Sequence, residues 1–176
     1  MFKKFLTALG ALTFALLVLY GIRYAATSVY GRMADKESAA FANNASKAIA
    51  MNWNAQELVD RAHPVLFAKT NPQDFASLFD KIREIGKLKK LEKCQGESII
   101  SYPSLLKYAI GSGSVTNAKY VCPGEFTRAP ATMVMLLHKD PKAGWQIVAF
   151  NLDSTFFKAP AAKSEPAKTE PAKEAK

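Results

Sequence analysis

The chain is poor in residues that carry chemistry. It holds two histidines and two cysteines in 176 residues, and neither pair is spaced for a metal. Cys94 and Cys122 form no CxxC redox motif, and a zinc framework would need two further ligands at short spacing. His63 precedes a proline and His138 falls in a strand-like pattern, so each reads as a packed or surface residue rather than a general base. The run GSGSV at residues 111–115 lacks the GK[ST] ending and the following helical pattern of a phosphate cradle. It reads as a flexible turn. With no convergent acid, base, nucleophile or metal set, no catalytic residue is assigned, and neither a cofactor nor a metal is expected.

Acidic residues are also few, 15 against 24 Lys and Arg, for a net charge of +9. The imbalance is uneven along the chain. Residues 37–157 hold 14 basic and 11 acidic side chains, so most of the excess belongs to the two ends, where amino-terminal cations can meet anionic headgroups. One local cluster, KIREIGKLKKLEK at residues 81–93, offers Lys81, Arg83, Lys87, Lys89, Lys90 and Lys93 as a candidate basic patch for an acidic partner. A solvated helix end and strand edge is the plainer reading. No recognition motif or aromatic–basic interleaving accompanies the charge, and nucleic acid is not an expected partner.

What the chain does have is one long apolar run. Residues 5–22, FLTALGALTFALLVLYGI, carry no charge and lie between Lys3–Lys4 and Arg23. As a helix rising about 1.5 Å per residue the run spans roughly 27 Å, close to the roughly 30 Å hydrocarbon core of a bilayer. Residues 1–23 are therefore expected to be a transmembrane anchor inserted in the inner (cytoplasmic) membrane. The alternative is a secretory signal cleaved after small residues such as Ala26 and Ser28, although signal h-regions run only about 7 to 15 residues. The basic-residue count does not fix orientation. The short basic tail, with everything foldable and both cysteines behind the anchor, favours a domain on the periplasmic or extracellular side. In such an oxidising compartment Cys94 and Cys122 are expected to pair. Closing a loop of about 29 residues would contribute roughly 3.5 kcal/mol by chain-entropy arithmetic. Two unrelated buried thiols are the competing reading.

Behind the anchor, residues 24–36 read as a linker and residues 37–157 as one domain-sized unit. Residues 158–176, KAPAAKSEPAKTEPAKEAK, repeat a PAK unit without one aromatic or branched aliphatic side chain, so they are expected to be disordered. Within the domain, residues 38–52 have a helical pattern with Phe41, Ala45, Ala48 and Ile49 available to pack. Asn54 opens a short helix with Glu57 placed for a capping box, and His63–Pro64 should end it. Asn71 and Pro72 then start a stronger helix, with Phe75, Leu78, Phe79, Ile82 and Ile85 periodic and Gly86 as its stop. Beyond Gly86 the period drops to two, which means strands. One is expected in residues 88–101, another around Ala118, Tyr120 and Cys122, and a hairpin across the KDPKAG turn joins residues 131–138 to 145–150. Both faces of that hairpin are apolar near its middle. One should meet helices, and the other should be covered or form a pocket.

Helices followed by antiparallel strands define an α+β domain with helices on one face of a curved sheet. The element order, the hairpin FTRAPATMVMLLHKDPKAGWQIVAF and the closing NLDSTFF resemble the nuclear-transport-factor-two-like, or cystatin-like, superfamily over roughly residues 38–157. That resemblance implies a cone with an open end. It also implies a range of roles, from isomerases, dehydratases and ligand binders to non-catalytic assembly modules on single-pass subunits of bacterial secretion machines, and the fold alone does not choose among them. No catalytic residue carries over, because no position matches a motif. Asp153, Glu97 and Glu125 could reach a cone mouth, with solvent exposure as the simpler expectation. Tyr120, Met133, Met135, Trp145 and Phe150 are the candidate lining of a pocket for a lipid or other small hydrophobic ligand, and core packing is the alternative. Phe156 and Phe157 either cap the core or present an apolar patch. The leading functional expectation is a membrane-anchored, non-catalytic interaction or assembly module whose partner is a membrane or envelope protein, or a second copy of the chain. A hydrophobic-ligand binder comes second, and an isomerase-like or hydrolase-like enzyme third.

Overall fold

A computed structural model of the chain describes residues 2–68, 72–104, 107 and 113–157. Its first element, α1, runs without interruption from Phe2 to Asn52, about 77 Å at 1.5 Å per residue. Residues 24–36, read above as a linker, are helix throughout. They contain no proline, and a single glycine, Gly31, is too weak a breaker to stop an Ala-rich helix. By length and composition α1 is apolar enough to cross a membrane, and none of its apolar window is buried in the fold. A signal sequence meets the same criterion.

The carboxy-terminal half of α1 packs through small residues. Ala34, Ser38, Ala42, Ala45, Ser46 and Ile49 are buried, recurring every three to four residues with Ala45 and Ser46 adjacent, which marks one helical stripe. Phe41 and Ala48, expected on this face, are only half-buried. The helix ends at Trp53, whose φ of 46° places a bulky residue in the left-handed region at a cost of roughly 1–2 kcal/mol. Burial offsets this. The indole donates to the Gly86 carbonyl at 3.2 Å, Arg83 Nε donates to the Trp53 carbonyl at 3.2 Å, and the ring lies 4.9 Å from that of Phe126.

Asn54 caps α2 (Ala55–Val59) by accepting from Gln56 N–H at 3.0 Å. The reciprocal half of a capping box is not made, because the Glu57 carboxylate pairs with Arg61. A 3-10 turn, Pro64–Phe67, follows the His63–Pro64 break, and α3 spans Pro72–Arg83. Phe75, Phe79, Ile82 and Ile85 are buried as their periodicity predicts, whereas Leu78 is 47% exposed. The cap expected at Asn71 lies outside the described residues, as does the tail at residues 158–176. Gly86 does stop the helical region, with φ of 95°.

Five antiparallel strands complete the α+β fold: β1 (Leu88–Leu91), β2 (Gln95–Ser101), β3 (Val115–Phe126), β4 (Pro130–Asp140) and β5 (Gly144–Ser154). The spatial order is β1-β3-β4-β5, with β2 also paired to β3. Residues 88–101 are thus two strands on one side of β3, β1 along its end and β2 along its start. Cys94 falls in the break between them, opposite Cys122, and the two form a disulfide with Cα atoms 4.1 Å apart. The hairpin expected at KDPKAG is present. Asp140 accepts from Lys142 and Ala143 N–H at 2.7 and 2.8 Å, and Gly144 takes the φ of 77° that favours glycine.

The carboxy-terminal half of α1, with α2 and α3, packs against one face of this sheet. Phe79 stacks on Phe150 at 6.3 Å, and one cluster joins Ile49, Leu58, Phe79, Tyr120, Met133 and Ile147. The edge formed by β1 and β2 is tied to α1 by polar side chains. Asp35 accepts from Ser98 N–H at 2.7 Å and Ser98 Oγ at 2.6 Å, and Asn43 accepts from Cys94 N–H at 2.9 Å. Edge N–H groups that would otherwise invite another strand are so satisfied within the chain.

Candidate functional site: the uncovered sheet face

Strand alternation divides the sheet into two surfaces. Ala118, Tyr120 and Cys122 of β3 and Met133, Met135 and Leu137 of β4 face the helices and are 5% exposed or less. Their neighbours Val121 and Val134 pair across the outer face, where Ile99 is 61% and Leu136 41% exposed. No helix covers this side among the described residues. A groove opens on the outer face beside a register shift between Leu136 and Leu137. Leu136 pairs with Ala149 but Leu137 with Ile147, leaving Val148 as an extra residue. Such a bulge bends the strand and increases local twist.

The groove encloses about 670 Å³. Its floor is Ile99, Val121, Leu136 and Val148, and its rim carries Gln95, Asn117 and the directly opposed pair Glu97 and Lys119. Gly96 is needed at this point, since a Cβ there would collide with the Lys119 carbonyl. The groove is therefore apolar at its base and polar around it, a distribution suited to burying an apolar group while orienting it by hydrogen bonds.

The candidate pocket residues are placed differently from that expectation. Tyr120, Met133 and Met135 are fully buried core on the inner face. They share a strand side with the bridged Cys122, and that is the side the helices cover. The Tyr120 hydroxyl hydrogen-bonds Ser38 Oγ at 2.9 Å and donates to the Asp35 carbonyl at 3.3 Å. Trp145 is half-buried beneath the Lys139 ammonium, 5.8 Å from its ring centre. Phe150 does line a cleft, of about 290 Å³, with Leu78, Ile82, Leu152 and Phe157. Phe156 and Phe157 are 36% and 43% exposed, so they extend an apolar surface at the end of the fold.

The six basic residues do not converge. Lys81 borders the cleft beside Phe150. Arg83 and Lys87 border another near Trp53, where Arg83 is already paired with Asp80 at 2.6 Å. Lys89 and Lys90 are both exposed on β1, where the pairing register with β3 shifts between Leu88 and Lys90, and Lys93 lies in the turn before Cys94. A helix end followed by a short strand disperses charges that are contiguous in sequence.

The two histidines, 75 positions apart in sequence, meet edge to face with ring centres 5.8 Å apart. His63 Nδ1 accepts from Val65 N–H at 3.1 Å, which makes the ring a cap on the 3-10 turn. His138 Nδ1 is 2.9 Å from Asn117 Oδ1. With its Nδ1 lone pair committed to Val65, neutral His63 carries its proton on Nε2, so that nitrogen is not a ready metal ligand. The nearby Asp140 carboxyl is held below its ordinary range, chiefly by the Ala143 and Lys142 N–H groups and to a smaller degree by the histidines. Among the described residues no three His, Cys, Asp or Glu side chains are grouped to hold a metal. Glu97 lies on the groove rim, Glu125 is exposed on β3, and Asp153 pairs opposite Thr132 on the outer face.

The groove residues Ile99, Val121, Leu136 and Val148 were not singled out from the sequence. The signal for them was the second apolar parity of the hairpin, but the bulge at Val148 beside them has no local signature. No family model matches the chain, and no curated protein or solved structure is significantly similar to it.

Proposed function

We propose that this chain is a single-pass, membrane-anchored module whose domain lies on the extracytoplasmic side and docks a membrane or envelope protein, without a reaction of its own. The observation that carries the reading is an apolar groove on a sheet face that no helix covers among the described residues, on a fold whose other apolar sheet face is packed under helices. A protein partner that places an aromatic or branched side chain between Ile99 and Leu136 would bury the floor, while Glu97 and Lys119 set its register. The disulfide supports the compartment, because such bonds persist in oxidising surroundings. The continuous α1 supports the tether. Assignment to the nuclear-transport-factor-two-like superfamily, with its cone-shaped domain and membrane-tethered assembly modules, belongs to this same proposal.

The test is photocross-linking in intact membranes from a reactive residue at position 99 or 136. A discrete heteromeric adduct, absent when the probe is moved to buried position 135, is the expected result. Recovery of monomer alone from both outer positions overturns docking at this face. The groove volume also fits a small hydrophobic molecule, and copurification of one, displaced by a bulky substitution at Val148, would give that second reading precedence.

A further inference from the structure

Where α1 leaves the domain, a further and more polar cleft of about 280 Å³ lies between the helix and the strand ends. Arg23 and Lys139 supply positive charge, and Thr27, Tyr30, Tyr102 and Thr116 supply hydroxyl groups. Its position is as informative as its lining. Arg23 is the first charged residue after the apolar run and is half-buried, while Tyr20, Tyr24 and Tyr30 are each more than 60% exposed around it. In a helix that spans a bilayer, a cation and aromatic belt of this kind lies at headgroup depth. The cleft therefore opens where phosphates would be.

We infer that this cleft binds the phosphate of an anionic phospholipid headgroup, an inference that rests on the anchor reading above. The Arg23 guanidinium presents a planar set of N–H donors suited to phosphate oxygens, and the Lys139 ammonium acts as a point charge across from it. The hydroxyls satisfy the glycerol or remaining phosphate oxygens. Lys139 reaches the cleft from β4, while its pair with Glu37 at 2.5 Å joins it to α1. A bound lipid would then contact the anchor and the sheet together, fixing the tilt of the domain against the membrane. Lys36 is a useful contrast, since it lies on the same helix, is exposed, and does not line the cleft.

The full chain in a non-ionic detergent is titrated with phosphatidylglycerol or phosphatidylcholine and lipid retention is read by native mass spectrometry. About fivefold preference for phosphatidylglycerol is expected, reduced to near parity by Arg23→Gln or Lys139→Gln and unchanged by Lys36→Gln. Glu37→Gln removes the ion pair but keeps the cation, so it should retain the preference. A loss there equal to that of Lys139→Gln would assign the effect to disrupted structure and overturn the site. Equal retention of the two lipids by the unsubstituted chain overturns it as well. If glycerol 3-phosphate competes fully with the lipid, the ligand is a soluble phosphate and the lipid assignment fails. Alkaline extraction of native membranes reports separately on the anchor. Release of the chain into the supernatant defeats the anchor reading whatever the lipid result.

Discussion

The two faces of β3 and β4 are built from similar apolar residues and meet opposite environments. On the inner side Tyr120, Met133 and Met135 are sealed under helices, while on the outer side Val121, Val134 and Leu136 are half-buried or open. Hydrophobicity alone does not decide which side is covered. The inner face wins because α1 brings Ala34, Ser38, Ala42 and Ser46 to it, and small side chains let the helix approach closely enough for Asp35 and Asn43 to bond the β2 edge. Once α1, α2 and α3 are committed there, no described helix is left for the other side. The packed face carries stability, and the bare face is left for contact.

That division is breakable by measurement. The largest effect belongs to Phe79, fully buried between α3 and Phe150. Phe79→Ala in the detergent-solubilised chain should cost about 3–5 kcal/mol in denaturant unfolding. Converting Cys94 and Cys122 together to alanine should cost about 2–4 kcal/mol, and alkylation of the denatured native protein without reductant should find no free thiol. Tyr120→Phe is smaller, about 1 kcal/mol, because it removes the buried hydroxyl's hydrogen bonds with Ser38 Oγ and the Asp35 carbonyl while Ser38 keeps its own bond to that carbonyl.

Smaller still is the ion pair at the rim where α1 meets the sheet. Lys139 holds the Glu37 carboxyl below its usual range, by hydrogen bond first and charge second. A lowered carboxylate contributes stability above its unfolded pKa and loses it as pH falls through the folded value. The pair is 38% and 48% exposed, so its contribution belongs within the ~0–1 kcal/mol of surface pairs. Glu37→Gln should therefore lower stability slightly at pH 7 and not at all once the carboxyl is protonated. An equal deficit at both pH values would mean that packing, not charge, is lost.

The inner face was largely legible in sequence, and for local reasons. The Asn54 cap, the α3 stripe ending at Gly86, and the strand pair around residues 139–144 depend on residues a few positions apart. The disulfide followed from there being only two cysteines behind an apolar run. What was not legible depends on contacts distant in sequence. Ser38 and Ser46 look like solvent residues on an Ala-rich helix until Tyr120 and Cys94 are set against them, at 2.9 and 3.3 Å. Residues 24–36 read as a linker until Asp35 is set against Ser98, whose N–H and Oγ it accepts at 2.7 and 2.6 Å. Tyr120, Met133 and Met135 resembled a pocket because parity alone cannot say which face a helix will take.

Ile99 puts the sharpest question to the outer face, since it is a β-branched residue on an edge strand with 61% of its surface open. Ile99→Thr keeps the branched shape that strands favour and removes mainly exposed apolar surface, so its stability effect should stay within about 0.5 kcal/mol. A cost rivalling that of Tyr120→Phe would mean that the outer face is packed in the intact protein, and the contrast between the faces would fail. With stability unchanged, the same substitution should weaken the adduct formed from a probe at position 136, because the groove floor loses apolar area that a partner would bury. Unfolding and cross-linking should therefore separate at Ile99, as they cannot at Phe79, where loss of the core would remove both.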